Sequence, residues 1–554
     1  MVGILRALVT GPACGSIGRN SLQALAASFD PARTYDAVVV GSGATGAVAA
    51  QTLAEQGLQV LVLEAGPALS VSSALGSEPR NMLRRLQHLS AGRHSRQCQH
   101  PGYWKNNPDL FVDEGRNPYS TPADQPFLWI RGRQVGGRSL TWGGITLRLS
   151  DREFAQGWPI RHSDLDPHYS ALERQFAVWG QRDGLTLLPD GEYQPPAPLT
   201  PGEQQLAHSC RQLDLPFIPS RGFPRHCAAR DGAWPRFSAQ GGALAKAIAT
   251  GRVVVRSDAM AIQLFLNAAQ DRCEGVLFLD TGSGELYRVR AQLVMLCAST
   301  IESLRLLLLS REDRISGGLI DPAGLIGRGL MDHLSLARFF HLPSQEAAPA
   351  GTGLSGAESS FIPNTGNEGY GLWCGVQRFD VPSPLRRDPD AALGFLIGHG
   401  EVARELHNRV ELDPELRDAW GVPAPWIAQQ RSEADQAMAR HMENRIAAVV
   451  GQAGGQVAPV EDLLRMPLVE PLVRRSVAGS QELTPPGYYV HELGGAPMGD
   501  DPAGSVVDRW NRMHSCSNLL VTDGACWSSA GWQSPTLTSM ALTRRAALQA
   551  AAGR

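Results

Sequence analysis

The stretch HELGGAPMG, His491–Gly499, puts a histidine just ahead of a glycine pair and a small-residue turn, late in a chain of 554 residues. A neutral imidazole, with a reference pKa of about 6.5, can accept a proton at neutral pH. The same histidine could equally be a satisfied core residue, so what it faces decides its role. Further on, Ser534 stands directly before Pro535 and an apolar helical pattern carrying Leu537, Met540, Ala541 and Leu542. Proline suits a first helical turn because its missing N–H is not needed there. Serine just ahead of it reads as a helix cap.

A second chemical feature lies 450 residues before His491, at Gly41. The apolar, β-branched run Ala37–Val40 ends at Gly41, and Gly41, Gly43 and Gly46 have the spacing GxGxxG. A helical pattern follows over Ala47–Glu55, with Gly57 as its cap, and then a second buried strand, Val60–Leu63, ending at Glu64. One glycine makes the tight turn, one lets backbone approach a pyrophosphate, and one lets helix pack on strand. The helix N-terminus offers free N–H groups to phosphate. Glu64, 18 residues after Gly46, is placed to accept hydrogen bonds from a ribose. The pattern predicts a dinucleotide site and does not separate NAD from FAD.

Other elements must bring these features together. In Trp129–Ser150, the glycine pairs Gly136–Gly137 and Gly143–Gly144 surround Arg138, Ser139, Thr141 and Trp142, which allows close backbone approach to a flat or charged group. Ala291–Ser310 reads as strand, turn at Ala298–Ser299, and helix, a unit that adds to a parallel sheet. Leu519–Thr522 reads as a short buried strand with Asp523 and Gly524 at its end, where a carboxylate can hold sugar or ribitol hydroxyls. Gln429–Val450 reads as one helix, and residues 340–370 show little periodicity.

The bulk numbers exclude several classes. A net charge of −3 points to neither nucleic acid nor an anionic membrane as partner. Basic residues are nearly all arginine, the two lysines being Lys105 and Lys246, which reads as genomic base composition. Nine scattered cysteines lack any metal-ligand spacing and read as free thiols in a reducing compartment, so no metal site and a cytoplasmic location are expected. No apolar run is long enough to span a bilayer. Gly11, Pro12, Gly15 and Gly18 break the apolar run that a signal peptide needs, so residues 1–34 read as a tail.

In order along the chain, the Gly41–Gly46 loop with Glu64, VGGRSLTWGG, LCASTIESLRLLLLS, HELGGAPMGDD, SVVD, NLLVTDG and SPTLTSMAL resemble the glucose–methanol–choline (GMC) oxidoreductases, which are FAD-dependent. WPIRHSDLDPHYSALE and NRVELDPELRDAWGVP look like the bacterial branch that includes sugar dehydrogenases. The resemblance, not composition, selects FAD. It implies an α/β fold: a Rossmann-like FAD-binding domain (35–150, 221–335, 481–554) interleaved with a substrate-binding domain of antiparallel sheet plus helices (151–220, 336–480). It implies ADP contacts from Gly41, Ser42, Gly43, Gly46 and Glu64, with Thr45 and Ala65 beside them. Arg133, Gly136, Gly137, Ser139, Thr141, Trp142, Gly143, Ala298, Asp523, Gly524 and Thr536 complete the expected FAD contacts.

By the same resemblance His491 is the base that takes the hydroxyl proton of an alcohol while carbon hydride goes to the flavin. The implied substrate is a small alcohol, sugar, glycoside or polyol, and a dehydrogenase is expected over an oxidase, with a quinone, cytochrome or oxygen as electron acceptor. Two departures matter. Where some relatives carry a histidine that links covalently to the flavin, this chain has Thr141, so FAD is expected without a covalent bond. Where relatives place Asn or His as partner of the catalytic histidine, this chain has Ser534. Serine has a shorter reach, so either it contacts substrate, or Gln533 turns inward, or Ser534 only caps the helix. That departure keeps two other readings open, a lyase of this fold and a non-catalytic flavin-binding protein. His333 is expected to be structural or flavin-adjacent and His514 structural, while His399 and His407 give no reason to prefer catalysis.

Overall fold

The strand Thr34–Val40 ends in four buried residues, Ala37 to Val40. Apolar side chains on both faces suit a central parallel strand covered from both sides. It pairs in parallel with Val60–Leu63 on one side and Leu286–Leu296 on the other, so that Val38 lies opposite both Leu61 and Val294. Val253–Arg256 extends the first edge and Cys516–Val521 the second, again in parallel. The hairpin Ala259–Leu266 and Cys273–Asp280 joins the first half of the long strand Leu286–Leu296. Helix Ala44–Glu55 lies on this sheet and packs against helices Ala243–Ala249 and Thr536–Ala552. The fold is the mixed α/β, Rossmann-like architecture with antiparallel sheets that the sequence implies. This computed structural model describes residues 29–224, 233–343, 346, 354–366, 368–378, 385–465 and 483–553. Most of the expected tail at 1–34 therefore lies outside the described residues.

Several boundaries differ from the sequence pattern. The first helix begins at Ala44 rather than Ala47, because Gly43 already serves as its N-cap. The helix expected over 429–450 spans Glu433–Gln452, where Ser432 and Asp435 form a reciprocal capping box. The last sheet strand is Cys516–Val521. Among the described residues no helix is long and apolar enough to cross a membrane.

The second sheet is antiparallel. Its centre is Leu334–Leu342, Ala392–Gly400 and Tyr370–Val376, with Ala337 opposite Ile397 and Ile397 opposite Trp373. Side chains alternate between its faces. Leu336, Phe340, Leu372 and Leu396 pack with Met442, Ile446 and Val449 of helix Glu433–Gln452 in one buried cluster. Gly398 and Gly400 let that helix approach: a Cβ at either would meet a methionine sulfur at 2.5 or 2.6 Å. The opposite face looks into a cavity. A third, smaller sheet joins the other two: Arg328–Met331 runs into Leu334–Leu342 and pairs with Leu493–Gly495, which follows His491.

Candidate active site

A cavity of about 650 Å³ runs between the nucleotide-type sheet and the antiparallel sheet, reaching from Gly41 and Glu64 to His491 and Ser534. Its glycine loop has the asymmetry that a bound dinucleotide requires. A Cβ at Gly41, whose φ is +99°, would meet the Cys297 carbonyl oxygen at 2.3 Å, and one at Gly46 would meet the Gly41 oxygen at 2.0 Å. A Cβ at Gly43 would meet nothing within 4 Å. Two of the glycines thus permit packing, and the third leaves the space for the ligand. Glu64 accepts from Ser42 Oγ at 2.6 Å, from Ser42 N at 3.1 Å and from Gly66 N at 3.1 Å. Burial pushes its pKa up, against the pull of those bonds. A carboxylate has further lone pairs, so Glu64 can still accept from a ribose.

The other expected contacts divide. Ser42, Thr45, Ala65, Arg133, Gly137, Ser139, Thr141, Trp142, Gly143, Ala298, Asp523, Gly524 and Thr536 line the cavity. Gly46 and Gly136 do not: they support the loops from behind. The Gly136 N–H donates to Ser42 Oγ at 2.9 Å, and a Cβ there would strike the Gln240 amide. Arg133 donates from Nε to the Ala65 carbonyl at 3.4 Å and from Nη2 to Met260 Sδ at 2.8 Å. Asp523 accepts from Ser303 Oγ at 2.5 Å and from Ala525 N at 3.0 Å, and burial pushes its carboxyl up to about 6. The open Gly43, the flanking acid at a strand end and one continuous cavity fit a dinucleotide with a ring system reaching His491.

The histidine end is built from a register. Leu493 pairs with Met331 in an antiparallel ladder. Continuing that register by two residues sets His491 opposite His333, and their Nδ1 atoms are 2.7 Å apart. His333 Nε2 donates to the Gly531 carbonyl, since a carbonyl can only accept. His333 is therefore the Nε2–H tautomer, and its Nδ1 accepts. His491 must then carry its proton on Nδ1, which leaves the Nε2 lone pair without a hydrogen-bond partner among the described residues. Burial lowers His333 to about 4. Burial also lowers His491 well below its ordinary value, helped by His333, His399 and Arg138. Both imidazoles are neutral at pH 7. Asp332 anchors the backbone, accepting from His491 N at 3.0 Å and Gly487 N at 2.7 Å. Arg431 donates to the carbonyls of Asp332 and His333 at 3.1 and 3.0 Å.

The residue before His491, Val490, has φ +67°. A β-branched side chain there is strained, and such strain concentrates at functional sites. Ser299, across the cavity, is likewise at φ +77°. Arg138 holds both, donating to the Val490 carbonyl at 3.1 Å and to Ser299 Oγ at 3.3 Å, while pairing with buried Glu492 at 2.9 Å.

The Ser534 alternatives resolve in part. Pro535 already has helical dihedrals, φ −79° and ψ −17°, at the start of helix Thr536–Ala552, and among the described residues no N–H of that helix donates to Ser534 Oγ. Ser534 lines the cavity. Gln533 does not; it is fully buried, and neither atom of its amide has a partner. His514 bonds to Ser505 away from the cavity, and His407 lends only its backbone carbonyl, to Arg409. His399 is nearer than the sequence indicated: its Nε2 bonds to the Tyr489 hydroxyl, and its ring lies 6.5 Å from that of His491. Tyr489, which sequence reasoning missed, lines the cavity with its ring 4.9 Å from His491.

Known proteins resemble this chain over most of its length. A family model described as GMC oxidoreductase matches residues 405–543, and one described as an NAD(P)-binding Rossmann-like domain matches residues 39–95. The fructose dehydrogenase large subunit of Gluconobacter japonicus is 25% identical over 92% of this chain and 97% of its own. Paromamine 6'-oxidase of Streptomyces fradiae is 28% identical over 94% of this chain and 91% of its own. Among solved structures, pyridoxine 4-oxidase from Mesorbium loti superposes with a TM-score of 0.63 at 19% identity, covering 93% of this chain and 99% of that one. In motif order, architecture and length the chain is similar to GMC oxidoreductases, and its residues 405–543 match that family's model.

Proposed function

We propose that this protein oxidises the CH–OH group of a small alcohol to a carbonyl, using FAD held without a covalent bond. The observation that carries the reading is the tautomer chain from the Gly531 carbonyl through His333 to His491, which leaves a neutral Nε2 lone pair at the cavity wall. FAD, when bound, supplies the acceptor for the carbon hydride, which carries both electrons. The chain supplies the rest. His491 Nε2 takes the hydroxyl proton, and the imidazolium so formed keeps its Nδ1–H bond to His333. Ser534, at the start of the last helix, offers one donor and one acceptor to the alcohol oxygen. Gly41, Ser42, Gly43, Thr45, Glu64 and Ala65 would hold the ADP half, and Asp523, Gly524 and Thr536 the part nearer the ring.

Thr141 lines the cavity but cannot form a histidyl link, so acid precipitation should release the flavin into the supernatant. Among the relatives both a dehydrogenase and an oxidase occur. The dehydrogenase reading is tested by anaerobic bleaching of the flavin with alcohols, followed by readmission of air: fast reoxidation with peroxide would make it an oxidase. A spectrum that stays oxidised with every alcohol would overturn the oxidation reading.

A further inference from the structure

The antiparallel sheet gives the cavity a graded wall. Three ranks of facing residues follow from its register: Ser335 opposite His399, Ala337 opposite Ile397, and Phe339 opposite Phe395, with Trp373 beside Ile397 on the next strand. All share one face, since they are spaced by two along their strands. The first rank lies at the reacting end, where His399 bonds to Tyr489 beside His491. The next two ranks lead away from it over about 14 Å, taking about 3.4 Å per residue.

Beyond the first rank the wall is apolar. Ala337, Phe339, Trp373, Phe395 and Ile397 line the cavity there, and the Trp373 and Phe395 rings meet edge to face at 4.8 Å. The polar side chain this sheet offers the cavity is Ser335, at the reacting end; Trp373 lines the cavity with its ring, and its Nε1 is itself buried without a partner. Other polar lining groups belong to other segments; Asn117 and Arg133, for example, bond to each other near Ala65. A sugar or polyol laid along this face would lose water from several hydroxyls and find almost no partners, a cost of desolvation without compensation. An apolar chain or ring would gain by burial there.

We propose that the substrate is an alcohol with an apolar body, its carbinol at His491 and its chain or aromatic ring along Ile397, Trp373 and Phe395, rather than the sugar or polyol that the family resemblance implies. This rests on the oxidation reading above.

The test is anaerobic flavin reduction of the purified flavoprotein by straight-chain primary alcohols of rising length, by cinnamyl alcohol, and by fructose and sorbitol. The expected kcat/KM rises about fourfold for each added CH₂ buried, then levels once the chain outgrows the wall. Fructose and sorbitol should fall at least about a hundredfold below octanol, as a site rejects groups it leaves unpaired. Ile397→Thr, purified with full flavin content, should narrow the octanol-to-ethanol ratio by about tenfold. A ratio that does not change with chain length, or a sugar that matches octanol, overturns the proposal and leaves alcohol oxidation standing. Flavin that no alcohol and no sugar reduces removes both.

Discussion

The Nδ1 atoms of His333 and His491 meet at 2.7 Å although 158 residues separate them in the chain. Each sits beyond the end of a short strand, and the two strands pair through Leu493 and Met331. Behind His333, the Gly531 carbonyl lies on the loop that leads to Ser534. Three distant segments therefore fix one proton position. The arrangement orients a base without charging it, because burial keeps both rings neutral.

That relationship separates the two histidines by experiment. His491→Ala should slow flavin reduction by about 10²–10⁴-fold, the usual worth of a positioned base. His333→Phe removes the Nδ1 acceptor and lets His491 take either tautomer, so it should cost about 10²-fold, the lower end of that range. Stopped-flow reduction at saturating alcohol, with flavin content checked first, measures both. A loss below tenfold in His491→Ala would refute its role as base.

Acid should reveal the depressed histidines. With His491 held below its ordinary value, the acid limb of kcat/KM should fall under pH 6.5 rather than at it. Asp332, pushed up to about 6 by burial, can still accept from the His491 and Gly487 amides when protonated. Stability has a matching sign. His94, His100, His168 and His333 titrate at about 4 when folded and near 6.5 unfolded. The stability they contribute is complete above the unfolded value and is lost as pH falls toward 4. Asp332 and Asp523, raised to about 6, act oppositely, contributing stability below that value that is lost as pH rises through it. With His399 and His491 also lowered and Glu64 also raised, six such histidines stand against three such carboxyls among the described residues, so Tm should drop between pH 7 and pH 5. A kcat/KM limb at or above 6.5 would contradict the burial argument.

The nucleotide loop was legible because its signal is local: strand, glycine spacing, helix and terminal acid all lie within Thr34–Glu64. His491 and Asp523 were legible for a similar reason, each marking the edge of a short element. The His333 contact was not, because it depends on the pairing of two short strands far apart in sequence, with an irregular register at Gly495. A signal existed in hindsight, since MDHL and HELGG each set one histidine two residues from the Met331–Leu493 pair. Tyr489 and the apolar ranks of the antiparallel sheet were hidden for a different reason: alternation tells which residues share a face, but not which face meets the cavity. Pro535 has the helical dihedrals expected of a first-turn proline, while the choice between a capping and a substrate-facing Ser534 depends on where its side chain lies, which serine before proline does not reveal.

Gly43 and Gly41 should respond in opposite ways to alanine. Gly43 has an ordinary negative φ and free space, so Gly43→Ala folds but projects a methyl group where the cofactor's phosphates would lie. FAD affinity should drop by at least about tenfold, or 1.4 kcal/mol, with the apoprotein melting unchanged. Gly41→Ala meets the Cys297 carbonyl at 2.3 Å with φ at +99°, so it should lower the melting temperature of the apoprotein itself. Flavin titration and melting of both apoproteins tell the two apart; equal behaviour would contradict the loop assignment.

Arg138 carries a structural load that its place beside the cavity conceals. Arg138→Ala leaves the buried Glu492 carboxylate without its partner and frees the strained Val490 carbonyl. Removing one member of a buried pair typically costs about 3–5 kcal/mol, and partial exposure of the Arg138 side chain places the expectation at the lower end, about 3 kcal/mol. Denaturant unfolding would measure it. A loss under about 1 kcal/mol would mean that the pair behaves like a surface ion pair.

Ser534 distinguishes substrate contact from a merely local role. If it capped the last helix, Ser534→Ala would cost about 1 kcal/mol of stability. Among the described residues no N–H of that helix donates to Ser534 Oγ, and the serine lines the cavity, so the expected change in stability is near zero. A hydrogen bond to the alcohol oxygen is worth about 0.5–1.5 kcal/mol, which corresponds to a fall in kcat/KM of about two- to thirteenfold. Ser534→Asn adds reach and should retain activity, because the amide presents both a donor and an acceptor at the position serine now occupies. An alanine variant with full activity and a lower melting point would return Ser534 to the helix and leave His491 as the single protein group acting on the hydroxyl.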